Sequence, residues 1–255
     1  MRVGIATCRP FGSFAFTLVE ELRRRGHEPV AMFAGPISAA DARGFRVKHG
    51  PYLHPVRLYR HGVSDDDLAI YKRFNGKLVY LNRPFNHPRS IQTIKAWNID
   101  LLLNAGGPIY RRTLIESCGA TILNCHMGLL PEVRGMNVAE WSVFHGIPIG
   151  NTVHIIRPGI DTGDIGVFFH QNAKGIRSID ELRHTLASQN STHLATVVEA
   201  YANDTIRFYP QQRDAGTQYY RMQERLKQVV NARLTAGYEP DLDISERPYV
   251  RPAHA

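Results

Sequence analysis

Three polar side chains near the middle of the chain have chemistry suited to acyl transfer. Asn124 and His126 flank Cys125 at the end of a short apolar stretch, and both point to one face because side chains alternate along a strand. Asp161 follows in a loop flanked by glycines. An amide can hold a developing oxyanion, an imidazole can move protons near neutral pH, and a carboxylate can orient the imidazole or support its charge.

The spacing of these residues alone leaves two interpretations level. An Asn-x-His sequence is commonly a hydrogen-bonded structural pair, and Asp-Thr-Gly is common in turns. Cys125 alternates to the opposite face of its strand and is expected to be a buried packing thiol rather than a nucleophile. His154 lies on another predicted strand and is most simply a core histidine with one hydrogen bond, with support of the site as the alternative.

The elements that must position these residues follow the rhythm of an α/β protein. Short apolar runs alternate with helical patterns, which is typical of β-α units that feed a mostly parallel sheet, and ligands bind where the strands of such sheets end. The predicted strands are 2–8, 29–33, 99–104, 120–124, 151–156 and 165–170. The predicted helices are 14–25, 64–74, 91–98, one capped by Asn137, 178–201 and 216–234, and a loose tail follows from residue 238.

Composition narrows the class of protein. The chain has 255 residues, of which 43% are hydrophobic and 21% charged, enough to bury the core of one α/β domain and unlike disordered, collagenous or coiled-coil proteins. Because no apolar run is long enough to cross a bilayer and the N-terminal stretch lacks signal-peptide architecture, we expect a cytoplasmic protein with no membrane partner. Three irregularly spaced cysteines predict reduced thiols, with neither a disulfide framework nor a zinc site.

The net charge of +8 raises a non-enzymatic alternative, a basic nucleic-acid-binding protein. Such a protein needs Lys and Arg clustered with aromatic residues on one face, whereas the basic residues here are scattered from Arg23 to Arg251. We therefore expect no nucleic-acid partner, and the charge is better explained as attraction for anionic small molecules.

Four sequence strings carry a family resemblance. They are NCHMGLLP at 124–131, VRG at 133–135, TVHII at 152–156 and GIDTGDI at 159–165. In order and spacing they resemble the folate-dependent formyltransferases, a family that includes glycinamide ribonucleotide, methionyl-tRNA and amino-sugar N-formyltransferases. The resemblance weakens outside roughly residues 75–170. It implies a Rossmann-like formyltransferase fold, an open, mostly parallel sheet flanked by helices, here with a C-terminal helical extension.

The resemblance also implies a catalytic trio. Asn124 would donate its amide N–H to the formyl oxygen of 10-formyltetrahydrofolate while an amine attacks the formyl carbon. His126 would share that role and move a proton, and Asp161 would raise the basicity of the imidazole and accept the proton of the amine through water. This chemistry needs no metal.

The folate pocket of the family is lined largely by backbone, so the resemblance places it by position. The residues implied are Leu103, Asn104, Ala105, Gly106, Gly107, Ile109, Pro158, Gly159, Ile160 and Thr162. The two adjacent glycines would allow close approach of the backbone to the pterin.

Acceptor-binding residues are predicted from two places. Gly12 and Ser13 follow the first strand and open a helix, where an anion could bind, although a plain turn capped by Ser13 explains them equally well. Gly128, Arg134 and Gly135 belong to the matching strings; the family usually has Ser where Gly128 stands, so one hydroxyl is missing.

A small soluble amine is the expected acceptor, because the tRNA branch carries a further C-terminal barrel for which the stretch after the motif is too short. An amino-sugar nucleotide or a phosphorylated amine is favoured; an amino-acid-derived hydroxylamine such as hydroxyornithine, or hydrolysis of the folate, is the alternative. We expect a catalytic domain over 1–205 and a C-terminal helical extension and tail over 206–255. That extension could pair two copies of the chain or pack on its own domain, and the irregular segment 52–86 could line the acceptor pocket or pack on the sheet.

Overall fold

The computed structural model describes residues 1–8, 13–35, 77–81, 83–212 and 214–251. It divides into two compact units, Met1–Leu123 and Asn124–Ala255. Gly12, the predicted helix 64–74 and the segment 52–86 as far as residue 76 lie outside the described residues. The predicted division at residue 205 stays a prediction.

The first unit is built on parallel strands: β1 (Val3–Thr7), β2 (Ala31–Ala34), β3 (Leu78–Tyr80) and β4 (Leu101–Asn104). They lie in the order β4-β1-β2-β3, and each neighbouring pair is parallel. All positions of β1, β2 and β3 are buried. Continuous apolar runs of this kind are typical of parallel strands covered on both faces.

The helices of the first unit are α1 (Ser13–Arg24), α2 (Pro88–Lys95) and α3 (Arg112–Ser117). The predicted stop of α1 is confirmed, since Arg23 and Arg24 occupy its last turn and Gly26 takes a left-handed φ of 80°. Helix α2 begins at Pro88, earlier than predicted, because proline suits the first helical position and Nδ1 of His87 accepts the Arg89 N–H at 3.2 Å.

The second unit receives the chain through β5 (Thr121–His126), which spans the boundary, and adds β6 (Val133–Gly135), β7 (Gly150–Ile155), β8 (Ile165–His170), β9 (Thr217–Tyr219) and β10 (Val250–Arg251). The order is β10-β8-β7-β5, with β6 and β9 forming a separate pair. Strands β8 and β10 are parallel, as are β6 and β9, whereas β7 and β8 are antiparallel. The predicted mostly parallel α/β class is confirmed.

The helices of the second unit are α4 (Val138–Phe144), α5 (Ile179–Ala202) and α6 (Glu224–Ala236). The predicted cap of α5 is confirmed, since Oγ of Ser178 accepts the Glu181 N–H at 3.2 Å. Helices α4, α5 and α6 pack around one apolar cluster, in which Val143, Leu182, Leu186, Val230 and Leu234 are fully buried.

Two predictions for the C-terminal region were wrong. The last helix begins at Glu224 rather than Gly216, because residues 217–219 instead pair as a strand with β6. The tail from Tyr238 is not loose as far as Arg251: the Tyr238 hydroxyl donates to the Ile147 carbonyl at 2.6 Å, and β10 pairs with β8. These contacts join residues far apart in sequence, which local patterning does not report.

Candidate active site

The candidate site lies at the end of β5. Asn124 and His126 line a cleft of about 200 Å³ in the second unit, together with Cys125 between them. The end of β6 and the first turn of α4 form another wall, and α5 contributes Arg183. The predicted alternation of β5 therefore brings the amide and the imidazole to one cleft.

The Asp161 carboxylate lies between two imidazoles. Its Oδ2 is 3.4 Å from Nδ1 of His126 and accepts the Gly135 N–H at 2.9 Å, and its Oδ1 is 3.5 Å from Nε2 of His154. Asp161 itself has a left-handed φ of 52°, a conformation that Asp tolerates better than most residues. The loop between β7 and β8 thus turns tightly to bring the carboxylate to His126.

Hydrogen bonding fixes the tautomer of His126. Its Nε2 lies 2.8 Å from the Val133 carbonyl oxygen, which can only accept, so the neutral ring carries its proton on Nε2 and leaves Nδ1 with a lone pair toward Asp161. Burial lowers the pKa of His126, against the opposing effect of Asp161, and the nearby His154 lowers it further. At neutral pH the ring is a neutral base.

Asp161 stays ionised in this setting. Burial by itself raises the pKa of the carboxyl, but positive charge on His126 or His154 and the hydrogen bond from the Gly135 N–H hold that pKa well below its usual range. A proton that arrives on the facing nitrogen of either imidazole is stabilised by the carboxylate. The arrangement can therefore accept one proton and hold it.

His154 has a larger part in the site than the sequence indicated. Its Nδ1 donates to the Ile155 carbonyl at 2.9 Å, so Nε2 carries the lone pair and accepts the Asn124 amide N–H at 3.2 Å. The ring is 1% exposed. The prediction of a buried, hydrogen-bonded histidine is confirmed, and its position in a matching string, TVHII, was the signal that it also contacts Asn124 and Asp161.

Cys125 also borders the cleft, but its thiol is buried, as predicted, and contacts Asn151. Its Sγ accepts the Asn151 amide N–H at 3.8 Å, and burial raises its pKa to about 12. A thiol that stays protonated across the physiological range is a poor nucleophile.

The predicted acceptor residues of the second unit have local structural partners. A Cβ at Gly128 would lie 2.7 Å from the Val133 side chain, so the packing leaves no room for the serine usual in the family. Arg134 is 7% exposed and donates from Nη2 to Oε1 of Gln211 at 2.8 Å. Gly135 contributes its N–H to Asp161. Ser13 opens α1, but its side chain lies outside the described residues.

The predicted folate segment of the first unit follows β4. Oδ1 of Asn104 accepts the Gly107 N–H at 2.9 Å and the Tyr110 hydroxyl at 3.0 Å, which closes a tight loop. Gly106 has a left-handed φ of 78°, and a Cβ at Gly107 would lie 2.3 Å from the Tyr110 hydroxyl. The left-handed backbone explains Gly106, and packing of the loop explains Gly107. Of the other predicted residues, Leu103 and Ala105 are buried and Ile109 is 72% exposed.

The predicted folate segment of the second unit is the loop around Asp161. Gly159 has a left-handed φ of 124°, and the Thr162 hydroxyl donates to the Pro158 carbonyl at 3.4 Å. Ile160 is half-buried. The role of these residues in folate binding stays a prediction.

A polar wall of the cleft was missed in the sequence. Glu140 on α4 is 1% exposed, and its Oε1 accepts from Nη2 of Arg183 and, at 3.0 Å, from Nδ2 of Asn137. The Arg183 side chain is 40% exposed. A buried carboxylate paired with a half-exposed guanidinium offers both an acceptor and donors to a polar ligand. No local motif marks this pair, because its members lie on different helices.

The described part of the chain holds no group of three or more His, Cys, Asp or Glu side chains placed to bind a metal ion. None of its helices is long and apolar enough to cross a membrane.

Comparison with known proteins gives one family. The profile of the family described as formyl transferase matches residues 17–198, more than half of the chain. A methionyl-tRNA formyltransferase from Chlamydia caviae is 29% identical over 126 residues, which cover 49% of this chain and 39% of that protein. A methionyl-tRNA formyltransferase from Solibacter usitatus is 26% identical over 155 residues, 60% of this chain and 44% of that protein. The chain thus spans less than half the length of these relatives.

Solved structures show the same fold. A sugar N-formyltransferase from a Shewanella species superposes with a TM-score of 0.59 at 14% identity, covering 99% of this chain and 92% of that one. Glycinamide ribonucleotide transformylase 1 from Symbiobacterium toebii superposes with a TM-score of 0.58 at 17% identity, covering 82% of this chain and 94% of that one.

Proposed function

Because the chain belongs to the formyl transferase family, we propose that it transfers the formyl group of 10-formyltetrahydrofolate to the amine of a small soluble acceptor. One observation carries the proposal: Asp161, from the loop after β7, lies 3.4 Å from the His126 imidazole, and Asn124 lines the same cleft. The three residues supply the oxyanion donor, the base and the carboxylate that this acyl transfer requires.

In the proposed reaction the acceptor amine attacks the formyl carbon. A C–N bond forms to the amine, and the carbonyl oxygen gains negative charge in a tetrahedral intermediate. The Asn124 amide stabilises that oxygen, and its contact with His154 at 3.2 Å orients the amide. The C–N bond to N10 of the folate then breaks.

Proton movement is assigned to His126 and Asp161. The attacking amine becomes more acidic as it forms the new bond, and Nδ1 of His126, which carries the lone pair, accepts its proton. Asp161 stabilises the resulting imidazolium from 3.4 Å. The proton then passes to N10 as tetrahydrofolate leaves, so no net proton is consumed when the acceptor enters as a neutral amine.

The acceptor is proposed to be an amino-sugar nucleotide or a phosphorylated amine. A cleft of about 200 Å³ suits the reacting part of such a molecule better than a whole nucleotide. Glu140 can accept a hydrogen bond from an acceptor hydroxyl, and Arg183 can donate to an oxygen. Similarity to a sugar N-formyltransferase over 99% of this chain supports the same class. A hydroxylamine such as hydroxyornithine is the alternative acceptor.

For folate binding, the proposed residues are those that the family resemblance implies. We propose that residues 158–162 of the second unit contact the folate largely through their backbone, and that residues 103–109 of the first unit contribute folate contacts of their own. Transfer of the formyl group to water is the second candidate reaction, and the same oxyanion and proton chemistry would serve it.

Release of tetrahydrofolate tests the proposal. Purified protein is supplied with 10-formyltetrahydrofolate, first alone and then with a panel of amino-sugar nucleotides, phosphorylated amines and hydroxylamines. Amine-dependent release of tetrahydrofolate together with the N-formyl product supports transfer, and release that no amine accelerates indicates hydrolysis. Absence of release under all conditions would contradict both reactions.

A further inference from the structure

Gln211 holds the main chain of the Asp161 loop. Its Nε2 donates to the Asp161 carbonyl at 3.0 Å and to the Gly163 carbonyl at 2.6 Å. Gln211 comes 50 residues after Asp161 and lies outside the region that matches the family profile, residues 17–198.

The other end of the Gln211 amide is fixed as well. Its Oε1 accepts from the guanidinium of Arg134, from Nη2 at 2.8 Å and from Nε at 3.3 Å. The residue after Arg134 is Gly135, whose N–H donates to Oδ2 of Asp161 at 2.9 Å. Hydrogen bonds therefore form a closed ring through Arg134, Gln211, Asp161 and Gly135.

This ring stabilises an unfavourable backbone conformation in the loop. Asp161 has a left-handed φ of 52°, which costs free energy in a residue other than glycine, and such conformations persist only where the surroundings fix them. The backbone just before Gln211 is itself anchored, since Tyr209 and Ile165 form an antiparallel bridge. The hydrogen-bonded ring thus links β6, the Asp161 loop and the segment after α5.

We propose that Gln211 is a positioning residue that holds the Asp161 carboxylate against His126, and its catalytic importance rests on the proposed function. Gln211 acts through Asp161 and touches no reacting atom in this assignment. The amide is suited to the task because it donates to two carbonyls and accepts from a cation at once, which neither Glu nor Leu can do.

The test uses the full chain and needs no acceptor. Four groups surround the carboxylate: His126, His154, the Gly135 N–H and, beyond them, the charged Arg134. The ¹⁵N signals of the imidazoles are followed by NMR from pH 4 to 8 in the wild type, Gln211→Ala, Gln211→Met and Asp161→Asn. The exposed neighbour Gln212 supplies the matched control, Gln212→Ala.

Because Asp161 favours the imidazolium, Asp161→Asn should move the His126 titration to lower pH and mark the full loss of that effect. We expect Gln211→Ala and Gln211→Met to move it in the same direction, and Gln212→Ala to leave it unchanged. Met is uncharged and close to Gln in length, but its side chain cannot donate to the carbonyls. If Gln211→Met titrates like the wild type, the hydrogen bonds donated by Gln211 do not position Asp161 and the proposal is overturned.

Two further readouts keep the result interpretable. Urea unfolding shows whether each variant folds; should Gln211→Ala fail to fold, Gln211→Met decides alone. A folded Gln211→Ala whose His126 titration matches the wild type overturns the proposal. Where transfer is measurable, kcat should fall about tenfold or more with KM for the folate unchanged, since small misplacements of a catalytic group are costly. If the variants show the NMR shift but the wild type transfers no formyl group to any acceptor, the proposed function is refuted and the positioning role stands.

Discussion

Nδ2 of Asn124 lies 3.2 Å from Nε2 of His154. Since Nδ1 of His154 donates to a backbone carbonyl, Nε2 can only accept in the neutral ring, and the contact fixes which end of the Asn124 amide faces the histidine. An oxyanion donor works only where it is held in place before the charge develops. The orientation of Asn124 is therefore predicted to depend on His154.

His154→Leu is expected to lower kcat/KM for transfer by about 10- to 100-fold, less than the 100- to 1,000-fold typical for deletion of an oxyanion donor itself. His154→Gln should retain more activity, because its amide oxygen can still accept from Asn124. The assay is amine-dependent release of tetrahydrofolate, with exposed His184→Gln on α5 as the control. A His154→Leu enzyme with wild-type turnover would contradict the assignment.

The pH dependence of transfer should reflect His126. Burial lowers its pKa from 6.5, so the ring is neutral and competent above that lowered pKa and becomes protonated below it. We expect kcat to be level at pH 6.5 and above, and to fall about tenfold per pH unit below the lowered pKa. The measurement is kcat against pH at saturating substrates. A decline that begins well above pH 7 would show that another group limits the rate.

Asp161 and His126 should make the free energy of unfolding depend on pH. The folded pKa of Asp161 is depressed, so its contribution is present above the unfolded value of 3.8 and is lost as pH falls through the folded pKa. The lowered pKa of His126 acts in the same direction below pH 6.5, because the unfolded chain binds that proton more readily. Asp161→Asn should fold yet lose transfer, and its unfolding midpoint in urea should respond less to acid below pH 4. An unchanged acid response would indicate that the carboxyl is unpaired in solution.

The parts of this site that the sequence predicted are those formed by residues close together in the chain. Alternation along β5 placed Asn124 and His126 on one cleft, and β8 was predicted with the bounds observed, since period and turn residues are local signals. The pairing of β6 with β9 and the hydrogen bonds of Gln211 leave no local sequence pattern, because each joins segments far apart in sequence. Glu140 and Arg183 likewise meet only once α4 and α5 are packed.

Cys125→Ala should leave transfer within about threefold of the wild type, because the thiol is buried and its pKa is raised to about 12. The prediction separates oxyanion chemistry from a covalent mechanism in which Cys125 would carry the formyl group. Mass spectrometry of the protein after mixing with 10-formyltetrahydrofolate provides a second check. Loss of transfer in a folded Cys125→Ala protein, or a formylated cysteine, would overturn the assignment.

Glu140→Gln should weaken acceptor binding without affecting the folate. Removing the charge from a hydrogen-bonding group typically costs about 1–3 kcal/mol, so KM for the acceptor is expected to rise about tenfold. Exposed Glu239→Gln is the matched control. A change in KM for the folate, with KM for the acceptor unaffected, would place Glu140 outside the acceptor subsite.

The docking of α6 can be tested with two neighbouring valines. Val230 is 0% exposed within the apolar cluster shared with α4 and α5, whereas Val229 is 45% exposed on the same helix. Nη1 of Arg233 also donates to the Val143 carbonyl at 2.8 Å at the end of α4, so α6 supports the helix that carries Glu140.

Val230→Ala should lower the free energy of unfolding by about 1–3 kcal/mol, since it removes buried methyl groups and leaves a cavity. Val229→Ala should change it by less than about 0.5 kcal/mol, as is usual for surface positions. Equal effects of the two substitutions in urea unfolding would mean that α6 does not pack against the cluster shared with α4 and α5. The inference that α6 supports the helix carrying Glu140 would then be wrong.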